Sequence, residues 1–252
     1  MRSLKEIHSL YCLGVRLNED EERKRTRQKT KHEQAKTPYR FDIINDLLKR
    51  FGRSTRYLEI GVRNPDDNFN RIQATEKHSV DPGAEYKQNP VDFKMTSDEF
   101  FDQLRTGKIL SSDFKWDVIF IDGLHLADQA DRDIENALNH LSDDGFVALH
   151  DCNPPTEWHA RENYSYDLTP ARIMWNGTTW KALFKQRFDP RTSVLCIDTD
   201  FGVGIVMKNQ LLPALTSNHN PYYEFHVFDA TRKNGINLMA YENFRNLLDA
   251  NR

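Results

Sequence analysis

No stretch of the 252-residue chain stays apolar for the roughly 20 residues that a membrane-crossing helix needs. The N-terminus has neither an apolar leader core nor a small-residue cleavage site, so a cytoplasmic protein with no membrane partner is expected. Cysteine is scarce. Cys12, Cys152 and Cys196 are odd in number and widely spaced, which excludes a disulfide framework and a CxxC metal site and leaves structural thiols. Excess positive charge is missing too: 35 Lys and Arg stand against 38 Asp and Glu, a net charge of -3. Such a chain lacks the field with which nucleic-acid binders displace counterions, so no nucleic acid and a small or neutral substrate are expected. A G-x-G-x-x-G phosphate loop is also absent.

What is present is the alternation of an α/β domain. Residues 1–40 read as a helical, charged extension. In it Glu21, Glu22, Arg23, Lys24 and Arg25 mix both signs, as a solvated surface helix does. The main domain spans 41–210. Phe41, Ile44, Leu47, Leu48 and Phe51 fall at helical spacing before Gly52, and short apolar runs follow at Tyr57–Ile60, His78–Val80, Trp116–Ile121 and Gly145–Leu149. A further strand is expected to end near Lys94, which makes Trp116–Ile121 the fourth and Gly145–Leu149 the fifth. Between these two, Ala130, Ile134, Ala137, Leu138 and Leu141 share one helical face, and Asp143-Asp144-Gly145 supplies a turn.

Val194–Ile197 and Val203–Met207 are joined too briefly for anything but an antiparallel pair. The prediction is a Rossmann-like, doubly wound, mostly parallel sheet with an antiparallel C-terminal hairpin and helices on both faces. Residues 211–252 form a C-terminal extension packed on it. In such folds ligands lie beyond the carboxyl ends of the strands.

The first strand runs into Glu59, Gly61 and Val62, where Gly61 serves either a tight turn or close approach to a ligand. The second ends in Asp81-Pro82-Gly83. An acid about 20 residues beyond Glu59 can accept both ribose hydroxyls, although Asp before Pro also starts ordinary turns. Thr96 and Ser97 open a helix with a capping pattern, most safely through Ser97, and would stand near an adenine. Trp116–Ile121 delivers Asp122-Gly123-Leu124-His125, and the following strand delivers His150-Asp151. Adjacent parallel strands are about 5 Å apart, so these two pairs can share one cation or one substrate. The bland alternative makes Asp122 a helix cap and His125 a packing residue. Pro154–Met174, with Trp158, His159, Arg161, Tyr164 and Tyr166, reads as a substrate lid or as a packed surface excursion.

Tyr57-Leu58-Glu59-Ile60-Gly61-Val62, Ser79-Val80-Asp81-Pro82-Gly83, Phe120-Ile121-Asp122-Gly123-Leu124-His125 and Leu149-His150-Asp151 occur in the order seen in class I S-adenosylmethionine-dependent methyltransferases. Over about residues 40–210 the chain resembles their small-molecule group, which includes metal-dependent sugar and catechol O-methyltransferases. Trp175-Asn176-Gly177, Trp180-Lys181-Ala182 and Asp198–Gly202 also recur in a branch from glycan clusters, although helix start and hairpin turn are their safer roles.

The resemblance implies methyl transfer from S-adenosylmethionine to a small-molecule hydroxyl, a sugar or nucleotide sugar among the acceptors. The cofactor would be held by Glu59, Gly61, Val62, Asp81, Pro82, Thr96, Ser97 and Asp122. His125, Asp122 and His150 are the catalytic candidates, His125 as base. In metal-dependent relatives the aspartates in the positions of Asp122 and Asp151 bind Mg2+; Cys152 stands where catechol-type relatives have Asn, which leaves metal-dependent and metal-free versions both open. An NAD(P)-dependent oxidoreductase is the rival enzyme. A non-catalytic nucleotide-binding protein, dimerising through its terminal helices, is the rival of another class.

Overall fold

The computed structural model describes residues 3–86 and 88–251. Helices α1 (Leu4–Glu19), α2 (Glu21–Gln34) and α3 (Arg40–Arg50) lead into strand β1 (Arg56–Ile60). There follow β2 (Glu76–Val80), α4 (Ser97–Arg105), β3 (Trp116–Ile121), α5 (Ala127–Asn139) and β4 (Leu141–Leu149). Then come α6 (Thr179–Gln186), β5 (Ser193–Ile197), β6 (Val203–Met207), α7 (Phe225–Gly235), β7 (Leu238–Met239) and α8 (Tyr241–Asp249). No helix among the described residues is long and apolar enough to cross a membrane.

The strands form one sheet in the order β2-β1-β3-β4-β6-β5-β7. Pairing is parallel from β2 to β4 and between β5 and β7, and antiparallel where β6 joins β4 and β5. β1 has β2 on one side and β3 on the other, so the chain order reverses there and a crevice opens beyond its carboxyl end. Strand periodicity divides the core. Leu58, Ile60, Ile119 and Ile121 pack with α4, α5 and α6 through Phe100, Phe101, Ile134, Leu183 and Phe184. Tyr57, Val118 and Phe120 face α3 and α8 through Ile43, Ile44, Leu47, Phe244 and Leu248. Helices therefore cover both faces, as the near-continuous apolar strands require.

Three local expectations change. The strand placed near Lys94 reduces to a single bridge between Phe93 and Val80, because Asp92 turns its carboxylate onto the Ser79 amide and hydroxyl instead of continuing a ladder; Trp116–Ile121 is thus the third strand. Asp143-Asp144-Gly145 is not a free turn but part of a bulge within β4, which already contains Leu141. The register jumps from Trp116↔Leu141 to Val118↔Phe146, and a β-carbon at Gly145 would come within 2.8 Å of the Asp117 carbonyl. The cap of α4 is Thr96 rather than Ser97. Thr96 Oγ1 accepts from the Glu99 amide while Glu99 reaches back to the Thr96 amide, and Ser97 Oγ accepts from Gln129 across to α5.

That α4–α5 contact encloses Asp133, which is 1% exposed and accepts from Gln129 Nε2 at 3.1 Å. Burial pushes its carboxyl up to about 6, against the opposing hydrogen bonds of Ser97 and Gln129. The folded chain then holds a proton that the unfolded chain releases near 3.8, so this group removes stability as pH rises from about 4 to about 6. Asp133→Asn is expected to stabilise the protein by about 1–3 kcal/mol at pH 8 and by much less at pH 4. Urea denaturation at the two pH values checks this, and an equal effect at both would refute it.

Candidate active site

The tips of β3 and β4 carry the expected pairs to one point. The Asp122 amide donates to the Ile60 carbonyl at 2.8 Å and the His150 amide to the Ile121 carbonyl at 3.0 Å, so each tip is fastened to the preceding strand of the sheet. Asp151 turns into the left-handed region at φ 59°, which swings its carboxylate back toward Asp122. At the neighbouring tip Gly61 has φ 85°, and any β-carbon there would overlap the Asp122–Gly123 backbone. Close approach of two strand tips is what this glycine serves.

Around Asp122 and Asp151 the ionisable groups interlock. His125 Nε2 lies 3.3 Å from Asp122 Oδ1 and its Nδ1 lies 3.1 Å from Asp151 Oδ2. His150 Nδ1 is 3.2 Å from Asp122 Oδ1 and 3.4 Å from Asp151 Oδ2, and its Nε2 is 3.5 Å from Asp200 Oδ1. Arg40 closes the far side, 3.0 Å from Asp200 Oδ2 and 3.9 Å from Asp122 Oδ2. Asn176 Nδ2 donates to the other oxygen of Asp151 at 2.7 Å. Asp122 does not cap α5: Thr178 Oγ1 accepts from the Ala127 amide at 2.8 Å, and its own amide donates to the His125 carbonyl at 2.7 Å. The ring of Trp175 stacks on His125 at 5.1 Å.

The electrostatics follow from three carboxyls meeting one permanent cation. Burial disfavours charge on Asp122, but His150, His125 and Arg40 outweigh it and hold the carboxyl well below the usual range. Burial likewise opposes charge on Asp200, and His150 and Arg40 reverse it. Both histidines lose to burial and gain more from the acids, Asp151 and Asp122 above all, so their pKa values are raised, that of His150 strongly. One ligating atom from each of Asp122, His125 and Asp151 lies within 4.8 Å of those of the other two.

The candidates at the β1 and β2 tips are placed differently. Glu59 is turned into the protein, accepting from the Tyr57 hydroxyl at 2.6 Å and Asn68 Nδ2 at 2.8 Å; burial pushes its carboxyl up to about 7. Through Asn68 it anchors the loop that begins at Gly61 and Val62. Asp81 accepts from the amides of Arg63 (2.9 Å) and Gly83 (2.6 Å) and from Asn89 Nδ2 (2.7 Å). About one of its four lone pairs is left for a ligand. Pro82 is exposed and Val62 buried. Thr96 and Ser97 spend their hydroxyls on the cap and on Gln129.

The segment Pro154–Met174 is a packed layer at its base and free at its tip. His159 is wholly buried, sharing hydrogen bonds with Thr30 of α2 at 3.0 Å and Thr156 at 2.8 Å, and its ring pKa falls to about 4, mainly through burial. Its carbonyl accepts from the amides of Asn176 and Gly177. Arg161 donates to the carbonyls of Trp158, Arg172 and Met174, while Tyr164 and Tyr166 stay exposed. α2 is therefore no free surface helix: Thr26 and Glu33 are buried, and Lys29 donates to the Pro155 carbonyl.

Sequence reasoning missed Arg40, Trp175, Asn176 and Asp200 as site residues. Asp200 and the Trp175-Asn176-Gly177 stretch were visible as motifs, but their proximity to the acids was not. Arg40 carried no signal beyond standing before an amphipathic helix. Replacing Arg40 by Gln should cost about 2–4 kcal/mol by leaving Asp122 and Asp200 short of a cation, and adding Asp200→Asn should recover part of that loss. A double-mutant cycle in urea checks it; purely additive losses would show that the two do not act as a pair.

A family model described as a methyltransferase domain matches residues 10–152, more than half of the chain. No curated protein matches the chain. Similar solved structures include the SAH-bound methyltransferase PaMTH1 of Podospora anserina, with TM-score 0.44 and 16% identity over 83% of this chain and 98% of that one. An O-methyltransferase of Bacillus cereus in complex with SAH gives TM-score 0.44 and 15% identity over 75% and 91%. The chain belongs to the methyltransferase-domain family, and its mostly parallel sheet is Rossmann-like.

Proposed function

We propose that the protein transfers the sulfonium methyl group of S-adenosylmethionine to a hydroxyl oxygen of a small molecule, with a sugar as the favoured acceptor class. The observation that carries this reading is the convergence of Asp122, His125, His150 and Asp151 beside the β1–β3 crevice. The cofactor's adenosine fits the β2 tip: Asp81 keeps a lone pair for a ribose hydroxyl, and the buried Oδ1 of Asn89 beside it has no partner among the described residues. Its methionine portion would lie along Gly61 and Val62 toward Asp122. The acceptor would enter from the side of Trp175 and the 154–174 segment, whose aromatic rings can pack on a sugar.

Methyl transfer needs the acceptor oxygen held in line with the sulfonium and relieved of its proton. His125 is the group placed to take that proton, its ring fixed by stacking on Trp175 and by Asp122 and Asp151. The same acids raise its pKa, so it serves as a base only when their charge is balanced by another cation. His150, Arg40 and Asp200 form the buried half of that balance and orient the acids. His125→Ala is expected to lower kcat at least 100-fold while the calorimetric affinity for S-adenosylhomocysteine changes less than about threefold. An unchanged kcat removes His125 from the reaction, and a well-folded protein that ignores millimolar S-adenosylhomocysteine loses the cofactor assignment.

A second version is favoured by the closeness of the ligating atoms of Asp122, His125 and Asp151. Two carboxylates and an imidazole around a site short of positive charge fit a divalent cation such as Mg2+ or Mn2+. When bound there, it would acidify a substrate hydroxyl. His125 would then be a ligand instead of the base. In this version a chelator should abolish activity, and Mn2+ should restore it at least as well as Mg2+ because one donor is nitrogen. Activity indifferent to the chelator leaves the metal-free version standing.

A further inference from the structure

A trench of about 830 Å3 runs between α1, α2 and the end of the long loop, within the ~300–1,000 Å3 range of small-molecule sites. Along α2, Arg23, Arg27 and Lys31 recur at four-residue spacing and line one face of the trench. Arg172 and Met174 belong to the opposite wall, and α1 contributes Tyr11, which is 69% exposed. Arg23 donates to the carbonyls of Leu168 and Thr169, and Arg27 to Asn18 Oδ1 at 3.3 Å.

The charge pattern of α2 differs between its faces. Lys24 and Arg25, which do not line the trench, pair with Glu21 and Glu22 at 2.8 and 3.6 Å. Among the described residues none of Arg23, Arg27, Lys31 and Arg172 forms an ion pair, and no acidic side chain lines the trench. Four like charges gathered in one concavity repel each other, and a multiply charged anion relieves that repulsion most. Exposed apolar groups in the same concavity call for apolar cover.

We infer that this trench binds the phosphate or diphosphate portion of an amphipathic small molecule, the anion against Arg27, Lys31 and Arg172 and a ring group against Tyr11. The inference rests on the reading of the enzyme as one that methylates a small molecule, and it makes the trench the handle of the acceptor. Two connections tie it to the reaction site. Met174 of its wall precedes Trp175, whose ring stacks on His125, and Thr30 of its lining hydrogen-bonds His159, whose carbonyl holds Asn176 and Gly177. An anionic membrane is a poorer occupant, because the surface is concave and Glu19, Asp20, Glu21 and Glu22 stand at the α1–α2 junction.

The test is calorimetry of the full chain with uridine diphosphate as probe, for the unsubstituted protein and for the Arg27→Glu/Lys31→Glu variant. Both side chains are exposed, and unchanged thermal unfolding will show that the variant folds. The expected result is binding by the unsubstituted protein, at least tenfold weaker in the variant and weaker in 0.5 M salt, with S-adenosylhomocysteine affinity unaltered. Three results would overturn the inference: no heat at millimolar uridine diphosphate from protein that binds S-adenosylhomocysteine, equal affinity in both proteins, or capture by phosphatidic acid vesicles without uridine diphosphate binding. If S-adenosylhomocysteine fails to bind, the methyltransferase reading falls separately, and the comparison of the two proteins still decides the trench.

Discussion

Three carboxyl groups, Asp122, Asp151 and Asp200, are brought out of bulk water around two imidazoles and one guanidinium, and much of the surrounding chain is arranged to keep them there. Unpaired, each acid would lose more to desolvation than the fold can spare. Arg40 must therefore stand just at the start of α3, where its own amide also donates to Asp200 at 3.1 Å. Asp200 must reach inward, and it does so from a turn in which Asp200, Phe201 and Gly202 are all left-handed. Such conformations persist in non-glycine residues only when surrounding contacts impose them. Here the contacts include the amides of Cys152 and Asn153, which donate to the Gly202 and Phe201 carbonyls and stitch the β4 tip to the hairpin turn.

The same constraint explains how the outer layer communicates with the inner one. His125 is held by the backbone and ring of 175–178, that segment hangs on the carbonyl of His159, and His159 is clamped to α2 through Thr30. Burial keeps the His159 ring neutral over the ordinary pH range, so the clamp is a hydrogen bond rather than an ion pair and is little affected by salt. The part matched by the methyltransferase family ends at residue 152, immediately after the paired tips, whereas the 154–174 segment lies beyond it.

How much of this was legible depends on the range of the interaction. The alternation of strands and helices from Phe41 to Met207 follows from local periodicity, and the sheet follows it closely. The bulge at Asp143–Gly145 looked like a turn because a bulge and a turn use the same residues; only the pairing of Leu141 with Trp116 and of Phe146 with Val118 separates them. The strand expected near Lys94 shrinks to one bridge at Phe93 through a contact no local pattern reveals, Asp92 accepting from Ser79. α2 looked solvated because its composition is polar, yet Thr26 and Glu33 are buried, and Lys29 and Thr30 hydrogen-bond Pro155 and His159, more than 100 residues away.

At the site the division is sharper. The placement of Asp122, His125, His150 and Asp151 at two strand tips was set by the sequence alone, since an apolar run followed by polar residues ends a strand wherever the fold puts it. That the two tips are neighbours needed only the order of a parallel sheet. Which groups complete the cluster was decided by tertiary structure. Arg40, Asn176 and Asp200 come from a helix start, a loop and a hairpin turn that no short-range pattern relates, and they meet because buried carboxylates must find cations and donors in three dimensions.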